Sequence, residues 1–155
     1  MNTKPSEKLK ELGLVLPPAP PPAGLYRPII VVANFLYVSD QGTMLTDGTL
    51  YTGRVGDNLT LEEGKQAAHH VALTMLATIT THFGDIDRIK RLVKTLGMVN
   101  CTPDFSKQPL VINGFSELMS DVFGPEHGVG VRSAVGMMLP DQVAVEIEAM
   151  FELHK

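Results

Sequence analysis

The chain has 155 residues, of which 44% are apolar and 19% are charged, and its formal net charge is −4. This length is sufficient to bury a hydrophobic core without help from disulfide bonds or bound metals. The single cysteine, Cys101, excludes an internal disulfide framework and fits a reducing compartment. Thirteen Lys and Arg residues against seventeen acids give a poor electrostatic match to a phosphate backbone, so nucleic acid is a weak candidate partner.

The N-terminal segment predicts a short helix followed by an extended arm. Ser6 is a candidate N-cap for a helix over residues 7–12, and Gly13 is a typical stop signal. The proline-rich stretch at residues 17–22 then favours an extended chain, because proline fixes φ and has no backbone N–H. We interpret the arm as a spacer that lies along a neighbouring surface, and an SH3-type ligand is the alternative.

Two regions are predicted: the N-terminal helix and arm over residues 1–23, and one domain over residues 24–155. The first fourteen residues are charged and contain no long apolar run. A signal peptide and a membrane span are therefore not expected, and the predicted location is cytoplasmic.

Strands are predicted after the arm. β-Branched and aromatic residues favour strands at Ile29–Val32 and at residues 35–39. The pair Asp47-Gly48 is typical of a tight turn, which would join residues 44–45 to residues 50–51 in a further strand pairing.

Two long helices separated by a strand are predicted next. Thr60 and Glu63 form a capping box, and the apolar residues that follow recur at helical spacing. Ile89–Val99 is typical of a buried strand, and Pro109 favours the start of a second helix that ends at Gly124. The order β-β-β-α-β-α-β-β predicts an α+β fold in which two helices pack on one face of a single mixed sheet.

The C-terminal part of the chain contains the candidate site. Arg132 opens a strand-like segment, and apolar residues alternate with other residues over positions 143–153, which places Glu146 on the face that does not build the core. We predict that Arg132 and Glu146 lie on neighbouring extended stretches. A guanidinium matches a carboxylate in bidentate fashion, and a carboxylate nearby can relay a proton or hold a water. The pair indicates a site for a small carboxylate-bearing molecule, and two solvent-facing charges are the alternative.

Six segments of the chain follow a pattern found in one known family. They are Gly24-Leu25-Tyr26, Leu36-Tyr37-Val38-Ser39-Asp40-Gln41, Val111-Ile112-Asn113-Gly114, Arg132-Ser133-Ala134-Val135-Gly136, Leu139-Pro140 and Val145-Glu146-Ile147-Glu148-Ala149. This set resembles the RidA/YjgF family of reactive-intermediate (enamine and imine) deaminases, once called L-PSP endoribonucleases. The resemblance covers the chain from about Gly24 to Leu153 and is greatest to a longer branch that has a proline-rich N-terminal arm.

The resemblance implies a chorismate-mutase-like fold, assembled as a homotrimer with ligand clefts between subunits. It also implies hydrolysis of a 2-imino or 2-enamino acid to a 2-oxo acid and ammonia, without a cofactor or a metal. Arg132 would hold the substrate carboxylate, and Glu146 would position the attacking water. Tyr26, Ser39 and Asn113 would line the cleft, although each also fits a plain structural role as a packing residue, a strand terminus or an exposed helix position.

The chain departs from the family pattern near the predicted site. Asp40 stands where the family usually has glycine, and a carboxylate about 4 Å from the ligand carboxylate would oppose binding by roughly 1 to 4 kcal/mol. Asp40 would also compete for Arg132. The segment between Arg132 and Leu139 is one residue short, which would change the register that relates Arg132 to Glu146.

Two other functions stay open at the level of sequence. One is a non-catalytic trimer that binds a small carboxylate metabolite as a sensor or accessory protein, and the other is endoribonuclease action. The sequence contains no phosphate-binding loop, Cys-x-x-Cys pair or His-Glu-x-x-His helix. His69 and His70 are adjacent on one helix and cannot share a face, so no metal site is predicted.

Overall fold

The core of the computed structural model, which describes residues 3–155, is one mixed sheet with two long helices on one face. The helices are α1 (Pro5–Glu11), α2 (Leu61–His82) and α3 (Gln108–Phe123). The strands are β1 (Ile29–Val32), β2 (Phe35–Gly42), β3 (Ile89–Val99), β4 (Val131–Gly136) and β5 (Val145–Leu153). Their order across the sheet is β1-β2-β5-β3-β4, and only β3 and β4 pair in parallel.

The predicted α+β fold is confirmed, and so are the elements with strong local signals. The hydroxyl of Thr60 accepts the N–H of Glu63 at 3.1 Å, and the Glu63 carboxylate accepts the N–H of Thr60 at 2.7 Å. This capping box satisfies two backbone donors at the start of α2. The predicted strand at Ile89–Val99 is β3 itself. Short-range chemistry therefore determines these boundaries.

The N-terminal helix begins earlier than predicted. Its first residue is Pro5 rather than Glu7, and Lys4 rather than Ser6 is the N-cap. Ser6 binds a distant carboxylate instead, because its N–H and its hydroxyl both donate to Asp87, at 2.8 and 2.7 Å. This contact holds α1 against the segment that precedes β3.

The further strand predicted around the Asp47 turn is wrong, although the turn itself forms. The Asp47 carboxylate accepts the backbone N–H and the hydroxyl of Thr49, at 2.9 and 2.7 Å. Met44 and Leu50 then make only an isolated antiparallel bridge. The second arm of the hairpin pairs with the loop before β5 instead, where Thr52 bridges Val143 and the N–H of Ala144 donates to the carbonyl of Tyr51 at 3.1 Å.

The predicted placement of Arg132 and Glu146 on neighbouring stretches is also wrong. α3 is the crossover between β3 and β4, which pair in parallel, and β5 then pairs with β3 and β2. Parallel strands require such a crossover, and here it leaves β4 at the edge of the sheet. Arg132 on β4 and Glu146 on β5 are therefore separated by β3.

Gly97 of β3 packs closely against Ile112 of α3, and it offers a test of the packing. A Cβ at Gly97 would lie 2.5 Å from Cγ1 and 2.6 Å from Cδ1 of Ile112. We predict that Gly97→Ala lowers the free energy of unfolding by about 1–3 kcal/mol through overpacking. Adding Ile112→Val should recover part of this loss, because it removes one of the clashing atoms. Chemical denaturation measures both effects.

The matched control is Gly42→Ala in β2. A Cβ at Gly42 would have its nearest contacts at 3.8 Å, an ordinary van der Waals distance. Equal destabilisation by the two glycine substitutions would contradict the packing account.

Candidate functional site

Arg132 and Glu146 lie on opposite faces of the sheet. Arg132 is registered with Thr95 of β3, which is 1% exposed on the face that the helices cover. Val145 and Ile147, the neighbours of Glu146 in β5, are part of the hydrophobic core on that same face. Because side chains alternate along a strand, Glu146 points to the face without helices. It is nevertheless only 9% exposed.

The guanidinium of Arg132 lies against helix α3. Its Nη1 donates to the hydroxyl of Ser116 at 3.0 Å, and its Nη2 donates to the backbone carbonyl of Pro109 at 3.1 Å. Asn113 is four residues after Pro109 and three before Ser116, so all three residues occupy one face of the helix. The structure thus brings two predicted site residues, Arg132 and Asn113, to the same side of α3.

Glu146 lies in a cleft of about 420 Å³ at the end of β5. The proline-rich arm forms one wall of this cleft, and the loop before β5 forms another. Its lining residues are Pro20, Pro21, Pro22, Ala23, Gly24, Tyr26, Pro28, Asp40, Gln41, Gly42, Leu50, Pro140, Asp141, Val143 and Glu146.

Three carboxyl groups share the cleft, those of Glu146, Asp40 and Asp141. Burial is the largest cause that raises the pKa of Glu146, and a hydrogen bond with Asp40 and the charges of Asp40 and Asp141 raise it further, to about 8. A carboxyl group with this pKa is mostly protonated near neutral pH, so Glu146 can donate a hydrogen bond to Asp40. A group with such a pKa can both donate and accept a proton in a reaction.

Two backbone irregularities bring the other acids to Glu146. The register between β2 and β5 shifts between Val38 and Gln41, which places Asp40 in a bulge. Asp141 has a φ of 54°, in the left-handed region that aspartate adopts more readily than most residues. Sequence reasoning did not identify Asp141 as a site residue. Its only local signal is a Pro-Asp pair, which is typical of a turn rather than of a site.

Of the two remaining predicted lining residues, only Tyr26 lies in the Glu146 cleft. The Tyr26 hydroxyl accepts the N–H of Ala23 at 3.0 Å, which fixes the end of the arm. The Ser39 hydroxyl donates to the carbonyl of Arg27 at 2.7 Å, and Ser39 borders a different cleft of about 450 Å³ on the open face of the sheet. Within a single chain, Ser39 therefore lies outside the cleft that contains Glu146.

Within residues 3–155, no group of three or more His, Cys, Asp and Glu side chains has the geometry to hold a metal ion. The rings of His69 and His70 meet edge to face, with their centroids 5.9 Å apart. In the same part of the chain, no helix is both long enough and apolar enough to cross a lipid bilayer.

Comparison with known proteins places the chain in a family. A family model described as "YjgF/chorismate mutase-like, putative endoribonuclease" matches residues 6–144. The chain belongs to this family. It is also 41% identical over 147 residues to Protein TCP17 of Trypanosoma cruzi. This match covers 94% of the YjgF-family chain and 92% of that relative.

Solved structures share the fold of this YjgF-family protein. Atu1372 from Agrobacterium tumefaciens, whose function is unknown, is 38% identical with a TM-score of 0.85, and the match covers 97% of this chain and 94% of that one. A protein from Shewanella oneidensis, described as a "putative endoribonuclease", is 28% identical with a TM-score of 0.91 and coverage of 97% and 100%. RidA from Psychrobacter sp. PAMC 21119 is 22% identical with a TM-score of 0.60 and coverage of 87% and 94%, and it shows the shared fold alone.

The raised pKa of Glu146 leads to a prediction about how the free energy of unfolding depends on pH. The folded-state pKa of about 8 exceeds the usual value of 4.5, so ionising Glu146 destabilises the folded state. The neutral carboxyl makes its full favourable contribution to the free energy of unfolding below about pH 4.5, and this contribution is lost as the pH rises through about 8. Glutamine stays neutral at both pH values. As the pH rises from about 4.5 to about 8, the free energy of unfolding of Glu146→Gln should therefore increase by about 2–5 kcal/mol relative to that of the wild type.

Denaturant unfolding at pH 4.5 and pH 8.5, at one protein concentration, measures this difference. Glu126→Gln, at an exposed position after α3, is the control and should show no such growth. A Glu146→Gln difference that is the same at both pH values would contradict the predicted burial of a neutral acid.

Proposed function

We propose that this protein hydrolyses reactive 2-imino or 2-enamino acids to 2-oxo acids and ammonia. The observation that supports this reaction best is the buried carboxyl of Glu146, whose pKa of about 8 suits a group that exchanges protons near neutral pH. The resemblance of the sequence to the RidA/YjgF family implies the same reaction. A cytoplasmic location is part of the proposal, because one cysteine suits a reducing compartment.

The proposed reaction converts a protonated imine and one water molecule into a 2-oxo acid and an ammonium ion. The Glu146 carboxylate accepts a proton from water as the water oxygen bonds to the imine carbon, and the C=N bond becomes a single bond. The protonated Glu146 then donates to the amino nitrogen. The C–N bond breaks, ammonia leaves with the hydroxyl proton, and the C=O bond forms. A 2-enamino acid enters this route once a proton is added to its C3 carbon.

The substrate carboxylate requires a cation that one chain does not bring to Glu146. Arg132 lies on the opposite face of the sheet, with β3 between the two residues. We therefore propose that each site combines two copies of the chain. One copy would supply Arg132 and Asn113, and the other would supply Glu146 and Tyr26. A guanidinium can hold the substrate carboxylate in bidentate fashion while Glu146 exchanges protons at the imine.

Exposed apolar residues support an assembly of this kind. Ile30 at the β1 edge is 50% exposed, and Val131 at the β4 edge is 68% exposed. These surfaces lie at opposite edges of the sheet and differ from one another, so contact between them would be heterologous and could close into a ring. The proposed ring is the homotrimer that the sequence resemblance implies.

Two other functions have weaker support. Binding of a carboxylate metabolite without turnover would use the same guanidinium, which Ser116 and the Pro109 carbonyl hold in place. Endoribonuclease activity stands in the description of the family. It is disfavoured because the acidic groups of the Glu146 cleft would repel a phosphate backbone.

The activity can be tested with a 2-imino acid generated in the assay by an amino acid oxidase. We predict that the protein accelerates formation of the 2-oxo acid, and that Glu146→Gln lowers the acceleration by about 10²–10⁴-fold while binding is retained. Arg132→Ala should weaken both binding and rate, and Glu126→Gln should behave as wild type. Carboxylate binding with no rate effect would identify a binding protein instead, and RNA cleavage would identify an endoribonuclease.

Two inactive variants test whether the site is shared between copies. Arg132→Ala and Glu146→Gln are unfolded, mixed in equal amounts and refolded, and light scattering gives the mass of the product. Random assortment makes about three-quarters of trimers mixed, and each mixed ring has one intact site of three. We therefore expect recovery of about one quarter of the wild-type activity. No recovery in a mixed trimer would contradict a site formed by two copies.

A further inference from the structure

We propose that the ligand of this site carries a positively charged nitrogen at the end of its side chain, and that Asp40 and Asp141 recognise that charge. The inference rests on the proposed function, because it names the substrate class of the same cleft as 2-imino acids with cationic side chains. Its support comes from the charge, the burial and the wall composition of the cleft.

The charged groups that line the cleft are all acidic. They are Asp40, Asp141 and Glu146, and no lysine, arginine or histidine is among the described lining residues. The ion pairs in the described part of the chain involve other acids, at positions 11, 117 and 152. Carboxylates clustered in a cleft without a counter-charge attract cations and repel anions.

A second feature of the cleft is the environment of the Glu146 carboxyl. It is about nine-tenths buried, and its side-chain hydrogen bond is to another acid, Asp40. Thr43, Thr78 and the N–H of Val145 direct their hydrogen bonds to other groups. An ammonium or guanidinium ligand would supply several further donors to this carboxyl at once. The geometry of the cleft thus favours a ligand that donates hydrogen bonds.

The remaining walls suit an aliphatic chain that ends in a cation. Tyr26, Leu50 and Val143 are apolar or aromatic, and prolines 20–22 close the side formed by the arm. Methylene groups can pack against such walls, and the face of an aromatic ring attracts a cation. A volume of about 420 Å³ accommodates a small amino-acid-like molecule.

The charge balance of the complete site leads to the same ligand class. Arg132 of a second copy would offset the substrate carboxylate, and the protonated imine would offset the Glu146 carboxylate, which leaves Asp40 and Asp141 without a counter-charge. A cationic side chain would neutralise one of them, a neutral side chain would neutralise neither, and an acidic side chain would add a further negative charge. The expected order of preference is therefore cationic, neutral and acidic.

Three unreactive acids of equal chain length test the inference by binding alone. 6-Aminohexanoate ends in an ammonium, hexanoate in a methyl group and adipate in a second carboxylate. We expect 6-aminohexanoate to bind the wild-type protein about 10-fold or more tightly than hexanoate, and adipate to bind most weakly, in calorimetry at one salt concentration. Equal affinity for the three acids, or no binding of 6-aminohexanoate, would overturn the inference.

Charge-removing variants test the assigned residues. Asp40→Asn and Asp141→Asn should each reduce the preference for 6-aminohexanoate to within about 3-fold, because each removes one negative charge at nearly constant shape. Asparagine also tolerates the left-handed conformation of Asp141, so that variant remains informative if Asp40→Asn fails to fold. Asp57→Asn, on an exposed loop, is the control and should leave the preference unchanged. A preference that survives the removal of both charges would overturn the assignment.

Turnover separates this inference from the proposed function. The 2-imino acids made by an oxidase from arginine and citrulline have nearly the same shape and differ in charge. We expect kcat/KM to be about 10-fold or more higher for the arginine product, and Asp40→Asn to remove the difference. Equal turnover of both would overturn the inference and leave the deaminase proposal intact. Preferential binding of 6-aminohexanoate without turnover of either imine would overturn the deaminase proposal and support the cationic ligand.

Discussion

The carboxyl group of Glu146 is buried near the start of the central strand β5, beside the carboxyl of Asp40. Burial disfavours the charged form of an acid, and a second acid within hydrogen-bonding reach disfavours it further, which raises the pKa of Glu146 to about 8. An arrangement of this kind costs stability and persists only where the surrounding structure holds it in place. β5 meets that condition, since it is hydrogen-bonded to β2 on one side and to β3 on the other.

The rest of the fold places Glu146 in a cleft on the open face of the sheet. α2 and α3 cover one face of the sheet, so the hydrophobic core lies on that side and the other face stays open. Glu146 belongs to the open face, but the proline-rich arm and the loop containing Asp141 enclose it in a cleft. The arm is therefore part of the wall of the candidate site, in addition to being a connection to α1. Its rigidity comes from proline, which restricts the backbone before any contact is made.

In the proposed function, the separation of Arg132 from Glu146 links the chemistry to assembly. The guanidinium is held on α3 by Ser116 and the Pro109 carbonyl, while the acids lie two strands away on the opposite face. A site that needs both groups is incomplete in one chain. The exposed apolar residues at the β1 and β4 edges give a physical reason for copies to associate. Oligomerisation and catalysis would then be two consequences of the same strand order.

The sequence by itself determined the features that depend on residues close together in the chain. The capping box at Thr60, the Asp47 turn and the boundaries of β3 follow from local hydrogen bonds and short-range periodicity, and the family follows from short motifs. Alternation along β5 also predicted the face on which Glu146 lies. The tertiary structure decided which strands are neighbours, because parallel pairing of β4 with β3 joins residues that are distant in sequence.

The same distinction applies within the candidate site. Asp141 lies in the same cleft as Glu146 and has a left-handed backbone, and no local pattern marks that conformation as part of a site. Ser39 and Tyr26 are both in matching motifs, yet a register shift in β2 and the path of the arm direct them to different clefts. Sequence motifs therefore identified several of the residues, but burial, the grouping of charges and the distance between Arg132 and Glu146 required the folded chain. These properties arise from contacts among segments that are far apart in sequence.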